Sequence, residues 1–284
     1  MGSSYWSDDF YNDRKAHRAA TGTDAFEHHV AVKTGKTKTA THPKMNPMDV
    51  MRESRDSEAH PESVAIGVIL DVTGSMCHIP RLIQDNLPKL LKSLNGVVKD
   101  PQILFGAVGD AQAGDQGPLQ TGQFESGIEM DDDISRFFLE GGGGGNAGES
   151  YELAIYFFAR HTSIDCFEKR GKKGYLFIIG DEPPLPFVEP GDVKKLIGAS
   201  IKRISVEDIV KECQKKYNIF FLIPDGTSHA RETRLQDRWA GLLGPEHVIH
   251  LNANETSSVI ARQIGICEGT APKDVMVEAK VVRL

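Results

Sequence analysis

The chain has 284 residues, 39% hydrophobic and 26% charged, with a formal net charge of -7. That length allows one sizeable core, and the composition excludes a wholly disordered chain. The negative balance argues against non-specific attachment to nucleic acid or an anionic membrane.

Residues 1–60 carry nine acidic and nine basic residues, five of the ten histidines and no apolar run longer than three. Such a segment reads as a largely irregular N-terminal arm. Tyr5, Trp6, Phe10 and Tyr11 interrupt its polarity, and exposed aromatics of this kind are expected to dock on the domain's own surface. His28 and His29 are adjacent, so they point apart in regular structure, and with no cysteine near them or near His42 and His60 no zinc site is expected.

A folded domain is expected over 61–270, with 271–284 as a tail. The run Val64-Ala65-Ile66-Gly67-Val68-Ile69-Leu70 predicts a strand buried on both faces. Pro80 suits a helix start, and Ile79, Leu82, Ile83, Leu87, Leu90, Leu91 and Leu94 keep helical spacing, with a kink expected at Pro88. A second strand covers Ile103 to Val108 and ends at Asp110, and a short one follows near Leu119 to Phe124. Asp131 to Leu139 predicts a short helix with an acidic start. After the glycines Gly141 to Gly145 comes a helix, Tyr151 to Ala159, apolar on every face and therefore buried. Beyond it lie strands at Tyr175–Ile179, Ile219–Ile223 and Val248–Leu251. Helices are expected at Val206–Tyr217, Arg234–Leu243 and Thr256–Ile266. This alternation predicts an α/β fold: a Rossmann-like, doubly wound, mostly parallel sheet of about six strands with helices on both faces.

Three segments then bring oxygen ligands to one edge of that sheet: Asp71, Thr73 and Ser75 after the first strand, Glu149 after the glycine run, and Asp181 after a later strand. All carboxyl ends of a parallel sheet lie on one side, where open α/β folds bind ligands. Carboxylates brought together there raise one another's pKa, and a divalent cation relieves the repulsion. An all-oxygen set favours a hard ion, Mg²⁺ first, with Mn²⁺ or Ca²⁺ as alternatives. Asp110 is read as either an outer acceptor or a loop cap, and Glu182 as a solvated neighbour.

Asp71-Val72-Thr73-Gly74-Ser75 resembles the DxTxS variant of the metal-ion-dependent adhesion site of von Willebrand factor A domains. Gly144-Gly145-Asn146-Ala147-Gly148-Glu149-Ser150 is similar to that family's GGGDxPES segment, and Ile179-Gly180-Asp181-Glu182-Pro183-Pro184 to its ITDAPPH segment. The likeness covers about residues 62 to 268 and implies a metal-dependent protein-binding module without catalysis. It further implies that Thr73 and Ser75 coordinate directly, that Asp71, Glu149 and Asp181 act directly or through water, and that a partner's Asp or Glu completes the shell. Stand-alone members often work with AAA+ ATPases, so such a partner is implied as well. Asn146 and Gly148 depart from the pattern, which points to a single ion.

Asp71-Val72-Thr73-Gly74 is also similar to the DxTG start of haloacid-dehalogenase-like phosphatases, in which Asp71 would be the nucleophile. That family's later acidic motif needs a second Asp a few residues after Gly180-Asp181. The chain there reads Glu182-Pro183-Pro184-Leu185-Pro186. The serine at position 75 and the glycine-rich segment also find no role in that reading. With four cysteines in no CxxC, Cys77, Cys166, Cys213 and Cys267 read as reduced thiols, and Ser75 or Cys77 beside His78 lacks an oriented base. No stretch approaches the roughly 18 apolar residues of a membrane span, and no leader is evident, so a cytoplasmic location is expected.

Overall fold

A computed structural model describes residues 4–76, 78–142 and 148–270, the side chain of Ser75 also lying outside the description. Cys77, Gly143 to Gly145, Asn146 and the tail 271–284 therefore lie outside the described residues. In chain order the helices are α1 (Asp8–Thr21), α2 (Glu27–Lys33), α3 (Ile79–Asp85), α4 (Leu87–Asn95), α5 (Glu129–Ser135) and α6 (Tyr151–Arg160). They continue with α7 (Asp165–Glu168), α8 (Pro190–Leu196), α9 (Val206–Cys213), α10 (Thr233–Leu243) and α11 (Thr256–Glu268). The strands are β1 (Arg52–Ser54), β2 (Ser63–Asp71), β3 (Asp100–Val108), β4 (Leu119–Thr121) and β5 (Thr162–Ile164). After them come β6 (Gly174–Ile179), β7 (Phe187–Val188), β8 (Ile204–Ser205), β9 (Tyr217–Pro224) and β10 (Val248–Leu251).

Six strands form the central sheet in the order β10-β9-β6-β2-β3-β4, parallel except for β4, which runs antiparallel to β3. The chain is thus α/β and Rossmann-like, as its pattern of alternating elements predicts. Every residue of β2 is buried, and the two-residue pleat divides them between two cores. Val64, Ile66, Val68 and Leu70 face α3, α4, α5 and α11, whereas Ala65 and Ile69 face α6, α8, α9 and α10. Gly67 is required by the second core: a Cβ there would stand 2.3 Å from Cε1 of Phe158, so the ring of α6 packs directly on the strand backbone.

Pro88 does not kink one long helix. It lies in the first turn of α4, and the chain breaks at Asn86, because proline fits a helix start and disrupts an interior.

The arm carries two helices, α1 and α2, joined by irregular segments. Ser7 caps α1 by accepting from the Phe10 amide, Asp8 and Asp9 favour its positive end, and left-handed Gly22 closes it. The arm packs on the first core through Tyr11, Phe26 and Met45, all buried. Tyr11 donates to the Gln84 carbonyl, and Arg18 binds Asp131, whose side chain is 2% exposed. The two halves of the aromatic cluster differ. Tyr11 is buried and Trp6 packs against the core, whereas Tyr5 and Phe10 stay exposed.

Among the described residues no helix is long and apolar enough to cross a membrane.

Candidate metal centre

β2 and β6 are parallel neighbours, with Leu70 paired to Ile179, so the residues that follow each strand emerge side by side. Asp71 closes β2, and Asp181 lies two residues past β6. Glu149 is carried to the same edge by backbone bonds on both sides: its amide donates to Pro183 and its carbonyl accepts from Leu185, while the next amide, of Ser150, donates to Gly109 beyond β3. The sheet register and these loop bonds thus place the three predicted acids together.

Asp71 is fully buried, and each of its carboxylate oxygens is engaged. Oδ1 accepts from the Thr73 amide at 2.8 Å and from Thr73 Oγ1 at 2.7 Å, and Oδ2 accepts from the Tyr151 hydroxyl. Burial pushes its pKa up to about 6, against the lowering effect of these bonds and with help from the charge of Asp181. Glu149 is 4% exposed, and its Oε2 has no hydrogen-bond partner among the described residues. Burial, then the charges of Asp71, Asp110, Asp115 and Glu182, push it up to about 9. Asp181 is buried and accepts from the His229 amide through Oδ2.

Two residues of this centre had no signal in the sequence. Tyr151 lies in a helix whose apolar residues all point to core packing, yet its hydroxyl reaches Asp71. Gly180 makes room for it: a Cβ there would stand 2.1 Å from that hydroxyl. Gly180→Ala is expected to displace Tyr151 from Asp71 and cost about 1–3 kcal/mol by overpacking, measurable as a lowered midpoint of denaturant unfolding. His229 has no motif around it, but its amide holds Asp181 and its ring lies between Glu182 and Glu232. Glu182 is accordingly not a solvated neighbour. Its carboxylate faces His229 Nε2 at 3.2 Å. Asp110 meets one of its two expectations, since Oδ1 caps its own loop by accepting from Gln112, while Oδ2 is buried without a partner among the described residues.

Among the described residues no group of three or more His, Cys, Asp or Glu side chains is arranged to hold a metal by itself. A cation here would depend on hydroxyl oxygens as well. Thr73 suits that role: it donates its one proton to Asp71 and keeps lone pairs to offer. The hydroxyl of Ser75 lies outside the described residues. The unpaired Oε2 of Glu149, and the carboxyls of Asp71 and Glu149 whose pKa values burial raises, make an acidic cluster whose charge a divalent cation would balance. On these grounds the residues fit a divalent ion.

No family model matches the chain, and no curated protein matches it. Among solved structures it is similar to the open form of the pilus adhesin SpaC from Lactobacillus rhamnosus GG, with 12% identity and a TM-score of 0.49 over 75% of this chain and 31% of the adhesin. It is also similar to proximal thread matrix protein 1 from the mussel byssus, with 11% identity and a TM-score of 0.47 over 72% of this chain and 46% of that one. The chain therefore spans about a third of the adhesin's length and under half of the mussel protein's. Nothing about function follows from likeness at this level.

Proposed function

We propose that the chain is a von Willebrand factor A-like module that binds a protein partner through a divalent cation, Mg²⁺ before Mn²⁺ or Ca²⁺, and carries out no catalysis. The observation that supports this best is the Glu149 carboxyl, buried with Oε2 unpaired beside Asp71. An unpaired buried carboxyl is costly, and a cation bound on the hydroxyls of Thr73 and Ser75 would offset that cost. Asp71, Glu149 and Asp181 would hold the ion directly or through water. A small, strongly hydrated ion with few direct charges keeps exchangeable positions, and bound in this way it supplies an electrophilic contact for an Asp or Glu of the partner. An AAA+ ATPase assembly is the partner class that the resemblance suggests.

Asp71 is a poor candidate for a phosphatase nucleophile, because its carboxylate is fully buried and both oxygens are held by Thr73 and Tyr151. The protein-binding reading has a direct test. Full-length chain on a solid support should retain proteins from its native extract in Mg²⁺ and release them in chelator, and Asp71→Ala should retain none of these. Equal retention by the variant, or Mg²⁺-dependent phosphatase turnover abolished by Asp71→Asn, would overturn this reading.

A further inference from the structure

The arm meets the elements around the centre at α3 and α5 and at the short stretch 138–142. Its first helix is fixed on α3 and α5: Tyr11 donates to the Gln84 carbonyl, Gln84 Nε2 donates to Asp131, and Arg18 holds the same carboxylate at 2.8 Å. Its second helix carries His29, whose Nδ1 accepts the Leu139 amide at 3.2 Å, with the ring 5.5 Å from that of Phe138. Lys33, one helical turn on, lies 5.2 Å from the centre of the same Phe138 ring. Phe138 and Leu139 are both buried.

Two residues after Leu139 the same chain pairs with the turn that bears the hydroxyl ligands. The Gly141 amide donates to the Val72 carbonyl, and the Gly74 amide donates to the Gly142 carbonyl at 2.6 Å. Val72 and Gly74 flank Thr73, so the stretch 139–142 has the arm on one end and the Asp71–Ser75 turn on the other. A Cβ on Gly74 would meet the Gly141 and Gly142 carbonyl oxygens at 3.2 and 3.3 Å, which keeps the two backbones in close approach.

We infer that the N-terminal arm is a positioning element for this turn and that His29 is the residue through which it acts. A backbone amide buried at Leu139 needs an acceptor, and the imidazole nitrogen supplied by the arm is the one it has. With Leu139 held, the pairing of Gly141 and Gly142 fixes Val72 and Gly74, and with them the orientation of Thr73. His29 touches neither the acids nor the hydroxyls of the centre, so its effect is on their placement.

The test is amide hydrogen exchange on the full chain without metal, comparing wild type, His29→Ala and His29→Asn. Asparagine places an acceptor oxygen where Nδ1 stands, so it retains the bond that alanine removes. Exchange at Leu139–Gly142 and Val72–Gly74 is expected to quicken roughly tenfold or more in the alanine variant, a loss of local opening free energy that exchange reads directly, and to return toward wild type in the asparagine variant. Faster exchange confined to α1 and α2, or equal behaviour of the two variants, would overturn the inference. A Mn²⁺ titration of the same proteins adds a second readout. Affinity should fall severalfold in His29→Ala and recover in His29→Asn. This second readout rests on the proposed metal reading: a wild type that binds no Mn²⁺ would sink that reading, and the exchange result would still decide the role of the arm.

Discussion

Replacing Glu149 with glutamine is expected to stabilise the metal-free chain and to abolish its response to Mg²⁺. The Glu149 carboxyl is buried, its Oε2 lacks a partner among the described residues, and burial together with the neighbouring acids holds its pKa near 9. Near pH 8 it must therefore fold either neutral or as an unpaired charge, and both cost free energy relative to the unfolded chain. Glutamine keeps the shape, cannot ionise, and offers an N–H donor to the acids around it. The gain should be about 1–3 kcal/mol, which for a domain of this size raises the melting temperature by several degrees. The same change removes an acidic ligand. Wild type at Mg²⁺ a hundredfold above its Kd should gain about 2.7 kcal/mol, and the variant should gain almost nothing. Mg²⁺ should thus close or reverse the gap between the two proteins. A variant that is less stable than wild type without metal would mean that the carboxylate is a structural acceptor and not a waiting ligand.

The second large effect is on pH dependence. Ordinary unfolded values are about 3.9 for Asp and about 4.3 for Glu. Asp71 is raised to about 6 and Glu149 to about 9, both first by burial. Folded values above unfolded ones mean that the native state holds more protons, so stability is full below about pH 4 for these two groups and is lost as pH rises. Asp71 contributes its share of the loss between roughly pH 4 and 6, and Glu149 between roughly pH 4 and 9. The metal-free chain should therefore lose roughly 5 kcal/mol between pH 5 and pH 8 on account of this pair. Saturating Mg²⁺ should flatten the slope, since the ion favours the charged forms, and binding at pH 7.5 should release about one proton per chain. Denaturant midpoints across pH with and without Mg²⁺, and calorimetry in two buffers of different ionisation enthalpy, measure both effects. Parallel pH profiles with and without the ion would contradict them.

Much of the frame was legible because burial on both faces leaves an unmistakable pattern. The seven apolar residues from Val64 to Leu70 mark β2, and Tyr175 to Ile179 and Ile219 to Ile223 mark its parallel neighbours, which is enough to bring Asp71 and Asp181 to one edge. Glu149 was legible only through the motif it resembles, because no local periodicity says where a residue after a glycine run will land. The two helices of the arm left little trace in the sequence for a physical reason. They carry few apolar residues and are held by caps and ion pairs, Arg14 and Arg18 against the acids of α5, whose partners lie more than a hundred residues away in sequence. Tyr151 and His229 were hidden for the opposite reasons. Tyr151 is one aromatic in an apolar helix where the hydroxyl leaves no periodic trace, and His229 acts on Asp181 through its backbone amide, which any residue type could supply. Pro88 shows the limit of a local rule: the same residue kinks a helix or begins one, and the break at Asn86 decided which.

The most direct test of the central claim is a calorimetric titration of the full chain with Mn²⁺ at pH 7.5, beside the Asp71→Ala and Glu149→Gln variants. One saturable site per chain in wild type, lost or weakened at least tenfold in both variants, is the predicted result. No saturable site in wild type, or a site that both variants retain at wild-type affinity, would contradict a metal centre built on Asp71, Thr73, Ser75, Glu149 and Asp181.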